Sequence, residues 1–413
     1  MRRVGWFVVG GVLAAGLVVT PPRVAVLPVA AEVGLPSAGD GRVSPLVGHA
    51  VDVALARQAV AFRRGDERGF LQEVAPGAVE RQARMFRGLR ALEAQVGFRR
   101  REVWVDPGAV RRYGAGAVTL RVSMRYAVTD LKPAVEDLGY TYVIRDGVAR
   151  LVDATRLDAV LRSNRQPWDV AELEVVRRAG VVVLVDRGER ARGEQIAAVT
   201  AQAAKVVDKL WSGPLQKIPL VVALKDPDVL TDLPATLPGQ EPIRIQPMHS
   251  AAPDGRPVGG WIVLAPGAAE AVGAQPRVVP SLAEMVHGLM HLMPVKMGDE
   301  APRWLAEGLA AYAANLVRPA PDVARERAAV ADAVRGRIDR LPSDDEFTTT
   351  DSYRTSWLAV DLMARAVGVG SVTRFYLQVA RRGYSEFARA RMMREYAGIT
   401  AGDLVANLRG PAA

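Results

Sequence analysis

The sequence predicts an α+β protein of two successive modules, the second mostly helical toward its C-terminal end. Three observations carry this. Apolar residues recur at helical spacing from Val51 to Leu92 and then alternate beyond Gly97; a period near 3.6 marks helices, and a period of two marks half-buried strands. Continuous β-branched runs such as Val181–Val185 follow, fit for buried strands. From Ser281 onward the spacing is helical almost to the end, with loops marked by Pro and Gly.

Each element follows in order. Met1-Arg2-Arg3 precedes an uncharged apolar run, Val4 to Thr20, and Pro21-Pro22-Arg23 closes it. At 1.5 Å per residue the run reaches ~26 Å, marginal for a bilayer. A basic start before an apolar segment is an export signal, so residues 1–31 are expected to be a cleaved signal peptide or an N-terminal membrane anchor. Either places the rest outside the cytoplasm, secreted or anchored to the cell membrane. Residues 32–48, rich in Pro, Gly and Ser, read as a linker.

Val51, Ala54, Leu55, Ala59 and Phe62, then Met85, Leu89 and Leu92, give helices with a break near Pro76-Gly77. Val118, Leu120, Val122 and Met124 give a strand; Tyr140 to Ile144 gives another, and Arg145-Asp146-Gly147 turns it into a return strand, Val148–Val152. Over 49–165 this helix-then-meander order resembles the nuclear transport factor 2-like cone, a likeness of element order that implies no function. The second module, 168–413, opens near Trp168. It has strands at Val181–Val185, Ile218–Leu224 and Gly260–Leu264 and a helix from Arg190 to Trp211.

Composition excludes several classes. With 49% hydrophobic and 24% charged residues the 413-residue chain is globular. The absence of cysteine excludes a disulfide framework, a thiol nucleophile and a lipoprotein anchor. The formal charge is +9, but only 6 of the 54 basic residues are Lys and they are spread along the chain. This suits codon bias better than phosphate contacts, and no nucleic acid partner is expected.

One stretch carries chemistry. Ser281 and Glu284 form a capping box that starts a helix. His287 and His291 then lie one turn apart on one face, the spacing at which two imidazoles grip one metal. A second helix, beginning near Pro302, carries Glu307 sixteen residues after His291. Two imidazoles and a carboxylate with an open fourth position make a catalytic-type zinc shell.

Here the chain resembles the gluzincin, peptidase MA-like metallopeptidases, which carry H-E-x-x-H on one helix and W-L-x-E-G-x-A on the next. His287-Gly288-Leu289-Met290-His291 matches the first motif's ligands, and Trp304-Leu305-Ala306-Glu307-Gly308-Leu309-Ala310 matches the second. The resemblance implies zinc held by His287, His291 and Glu307, with Tyr353 as an oxyanion stabiliser. It also implies an edge strand, Trp261-Ile262-Val263-Leu264, along which an extended peptide or protein ligand would lie.

Two departures qualify it. The family's general-base glutamate is Gly288 here, and an acidic residue often found four positions after the third ligand is Ala311. A positioned base contributes roughly 10²–10⁴ in rate. The expectation is therefore a zinc metallopeptidase-like protein, catalytically impaired, that binds peptide in its groove. The alternatives are an active but slow endopeptidase using zinc-bound water, and a structural cell-envelope protein without metal. Glu284 lies one turn too early to replace the base.

Overall fold

The computed structural model describes residues 44–104, 106–128, 131–156, 166–211, 216–225, 243–250, 256–264, 279–297, 301–347, 349–380 and 385–410. Residues Asp40–Ala413 form one compact unit. The expected export segment and the first part of the linker, up to residue 43, lie outside the described residues. Among the described residues no helix is long and apolar enough to cross a membrane.

Helix α1 (Pro45–Arg64) begins inside the stretch expected to be linker, because the Ser44 side chain accepts the Leu46 N–H at 3.2 Å. Proline at the first helical position also lacks the donor that would otherwise go unpaired. Gly65 ends α1 at φ 72°, a break that the apolar spacing did not reveal. Helices α2 (Glu67–Leu71) and α3 (Pro76–Ala91) follow, so Pro76-Gly77 marks the start of a helix.

Strand β1 (Gln95–Trp104), a short helix α4 (Pro107–Tyr113) and strands β2 (Ala117–Ala127), β3 (Ala134–Arg145) and β4 (Val148–Asp153) complete an antiparallel meander in sequence order. Val118, Leu120 and Val122 of β2 face Tyr142, Tyr140 and Leu138 of β3, and all six are buried as the alternation requires. Asp146 and Gly147 turn β3 into β4 with both residues at positive φ, 50° and 74°, the geometry of a two-residue hairpin. Phe62, Phe70 and Phe86 fill the space beneath the sheet, their ring centroids 5.2–6.3 Å apart.

After α5 (Pro167–Val170), strands β5 (Leu173–Arg178) and β6 (Val181–Asp186) form a hairpin. Helix α6 (Arg190–Val207) leads to β7 (Leu220–Ala223), β8 (Ile243–His249) and β9 (Pro257–Leu264). The sheet order is β5-β6-β7-β9-β8, with β6, β7 and β9 parallel and both edge strands antiparallel to their neighbours.

Both faces of this sheet are covered, which is why its central strands read as unbroken apolar runs. Val183, Val185, Val221 and Ile262 face a core shared with the helices. Val182, Leu184, Val222, Trp261 and Val263 face the same core as Phe62, Phe86 and Tyr140 of the first sheet. Trp168, expected to open the second module, is itself buried in that core, edge-on to Tyr126 at 5.4 Å.

The substrate strand expected at Trp261–Leu264 is corrected by this topology. Strand β9 is paired with β7 on one side and β8 on the other, and Trp261, Ile262, Val263 and Leu264 are buried. A strand bonded along both edges offers no backbone groups to a ligand. Among the described residues the outer strand is β8, bridged at its end from Ser250 to Ala134; the sequence hid it because Ile243-Arg244-Ile245-Gln246 precedes a proline, a residue that weakens a strand reading. Buried Gln216 steadies β9: its amide accepts the Gly260 N–H at 2.8 Å and donates to the Gly260 carbonyl at 3.1 Å.

The rest is helical: α7 (Leu282–Leu292), a 3-10 turn at Met293–Met297, α8 (Arg303–Asn315), α9 (Ala320–Val334), α10 (Thr350–Val367), α11 (Val369–Val379), α12 (Glu386–Ala397) and α13 (Ala401–Arg409).

Candidate metal centre

Helix α7 starts as its capping box requires. The Glu284 N–H donates to Ser281 Oγ at 3.2 Å, and Glu284 Oε2 accepts the Ser281 N–H at 2.7 Å. That contact commits the Glu284 carboxylate to the helix end. One and two turns further, His287 and His291 bring their Nε2 atoms to 3.1 Å.

Glu307 reaches them from α8, whose N-cap position is Pro302. Its Oε2 lies 3.5 Å from both Nε2 atoms. Gly308 lets α8 sit this close to α10: a Cβ there would stand 2.4 Å from the Ser356 carbonyl oxygen. Among the described residues these three side chains form the cluster of metal-ligating groups. They are mostly covered, with 14%, 22% and 16% of their surfaces exposed.

The triangle fits zinc. Zinc–ligand bonds of about 2.0–2.1 Å at tetrahedral angles place neighbouring donor atoms about 3.3 Å apart, against 3.1, 3.5 and 3.5 Å here. Burial opposes a charge on Glu307, but the charge and hydrogen bonds of His291 and His287 outweigh it and hold its carboxyl below the usual carboxylate range.

Arg303, four residues before Glu307 on the same face of α8, had escaped the sequence reading. Its Nε lies 3.6 Å from Glu307 Oε1, and its Nη2 donates to the Tyr353 hydroxyl at 3.1 Å. The guanidinium also stacks on Phe347, 4.9 Å from the ring centroid. Tyr353, on α10, is therefore brought to the rim of the cluster through Arg303. The i,i+4 spacing of Arg303 and Glu307 was the available signal.

Gly288 faces the edge strand. A Cβ on Gly288 would stand 2.7 Å from Ile243 Cγ2 and 3.7 Å from Ile262 Cδ1. The space that a side chain at 288 would enter holds a branched methyl of β8. Ala311, four residues after Glu307, packs against the helical core and offers no carboxylate. His249 is exposed at the end of β8, His49 is exposed on α1, and neither joins the cluster.

No protein-family model matches the chain, and no curated protein sequence matches it. Among solved structures, an M1 zinc metallopeptidase from Deinococcus radiodurans is similar at 15% identity, over 76% of this chain and 60% of its own, with a TM-score of 0.37. A mutant form is similar at 14% identity over 78% and 62%, TM-score 0.38. A mutant bound to a Tyr-Ser-Ala substrate is similar at 17% over 71% and 61%, TM-score 0.37. The chain spans about three fifths of the length of these structures.

Proposed function

We propose that this chain is a zinc-binding protein of peptidase-like build that holds an extended peptide along β8 and is impaired in cutting it. His287, His291 and Glu307 would hold the metal. Zinc, when bound, would polarise a carbonyl and lower the pKa of a water toward ~7. The chain's own residues supply the rest: Arg303 and the Tyr353 hydroxyl offer donors at the rim, and β8 offers a strand edge for peptide addition.

Among the described residues, the place of the resembling family's general base is Gly288, which carries no proton acceptor. The observation that carries the impaired reading is the contact of Ile243 with Gly288. A lost glutamate alone would leave a vacancy that water could fill. Here an aliphatic methyl stands 2.7 Å from where the Cβ of such a side chain would begin, so a side chain at 288 would have to displace Ile243. Loss of a positioned base costs roughly 10²–10⁴ in rate.

The basic start and the apolar run Val4–Thr20 support an extracytoplasmic site, with the membrane as partner if the segment is retained. Three helices followed by a four-stranded antiparallel meander support the nuclear transport factor 2-like reading of 49–165. Its aromatic filling favours a scaffold role.

The test is metal content by mass spectrometry on the purified full chain, followed by a peptide-library assay. Zinc near one per chain, lost in His291→Ala, supports the centre; less than about 0.1 per chain after zinc-supplemented growth removes it. Library cleavage by the parent that vanishes in His291→Ala would overturn the impairment.

A further inference from the structure

The two oxygens of Glu307 are treated differently by their surroundings. Oε2 lies at 3.5 Å from both imidazole Nε2 atoms, while Oε1 lies at 3.6 Å from Arg303 Nε. We propose that Arg303 is a positioning residue that holds Oε1 back, so that Glu307 gives a metal one donor oxygen and a fourth ligand position stays open. The inference rests on the reading of this cluster as a metal centre.

The guanidinium is well fixed for this task. Arg303 stands in the first turn of α8, and its backbone N–H donates to Asp344 Oδ1 at 2.8 Å. Its planar head lies against Phe347 and gives a hydrogen bond to Tyr353. Stacking and a directed donor hold the fork with little residual freedom. Helical side chains lean toward the N-terminus, so Glu307 leans toward Arg303. Among the described residues Arg303 is the cation paired with Oε1, and without it Oε1 could turn to the metal beside Oε2. A carboxylate can bind through one oxygen or two, and the second mode would fill the open position.

A purely structural role predicts the opposite outcome. Losing a structural residue loosens the site and weakens metal binding. Losing a cation that withholds an oxygen also removes a like charge near the metal, so metal binding tightens while access for a further ligand falls.

The experiment uses the full chain loaded with cobalt, titrated against a competing chelator and then against imidazole as a neutral fourth ligand. For Arg303→Met the expected results are cobalt binding about 3–10-fold tighter, from removal of a nearby like charge. Imidazole binding should weaken by at least about 10-fold, and the visible band should lose intensity as coordination number rises. Arg303→Lys keeps a charge within reach of Oε1 and should keep the parent's band and imidazole affinity.

Cobalt and imidazole binding like the parent's in Arg303→Met overturns the inference while leaving the metal centre standing. So does weaker cobalt binding with unchanged imidazole affinity. If Arg303→Met fails to fold, a loss of imidazole binding in Arg303→Lys overturns it equally. A parent that binds no cobalt removes both the centre and the inference.

Discussion

Ile243 and Gly288 interlock across the gap between β8 and α7, the helix that carries His287 and His291. The strand's branched methyl lies where the helix has no side chain. Restoring a glutamate at 288 alone is therefore a packing error before it is a catalytic repair. Gly288→Glu should cost about 2–4 kcal/mol, because overpacking adds to burial of a carboxylate against Ile243 and Ile262. The double change Ile243→Ala, Gly288→Glu should cost less than the sum of its parts by at least about 1 kcal/mol. Urea unfolding measures the coupling. Peptide cleavage is expected from the double variant only; cleavage by Gly288→Glu alone would show that Ile243 does not block the position.

A second packing contact sets the distance between α8 and α10. Gly308 would press a Cβ onto a backbone oxygen of Ser356 and onto Val360 Cγ2 at 2.8 Å. Backbone cannot step aside as a flexible side chain can. Gly308→Ala is expected to destabilise by about 2–3 kcal/mol despite alanine's better helix propensity. Metal content should fall with it, since Glu307 is the adjacent residue. Thermal unfolding and zinc analysis on the same preparation check both.

Gln216 acts as a stand-in for a strand beside β9. Its amide exchanges hydrogen bonds with both backbone groups of Gly260 and donates to the Ile218 carbonyl at 2.9 Å. Gln216→Leu would leave the buried Gly260 N–H without that acceptor, at about 2–4 kcal/mol for the lost bonds and the unsatisfied group. A change below about 1 kcal/mol in denaturant unfolding would count against this account.

Buried Asp361 joins α9 to α10 by accepting two hydrogen bonds from Arg327, at 2.9 and 3.0 Å, with Arg365 at 2.9 Å. Removing one partner of a buried ion pair typically costs about 3–5 kcal/mol. Because Arg327 is part exposed, Asp361→Ala should lie at the low end, about 3 kcal/mol, measured by unfolding.

Much of this was written in the sequence, in those signals that are local. The capping box at Ser281, the turn at Asp146-Gly147 and the alternation of β2 each depend on neighbours within a few positions, and each stands as the pattern implied. The convergence of His287, His291 and Glu307 came from motif likeness, and spacing alone could not have placed α8 against α7. What stayed hidden depends on long-range order. Trp261–Leu264 reads as a strand, but whether a strand is central or at an edge is a property of the sheet. Ile243 and Gly288 lie 45 positions apart, so no periodicity links them. Ala179-Gly180, the turn of the β5–β6 hairpin, was missed because alanine at φ 49° is an uncommon choice for it.

The sheet that supports α7 and α8 also closes the core beneath the meander, through Val182, Leu184, Trp261 and Val263. Neither half can melt while the other keeps its packing, so calorimetry should record a single cooperative transition for the described unit. Zinc captured at one end would then raise the resistance of the distant aromatic cluster to proteases, and a deletion cutting between the sheets would yield insoluble fragments instead of two working pieces.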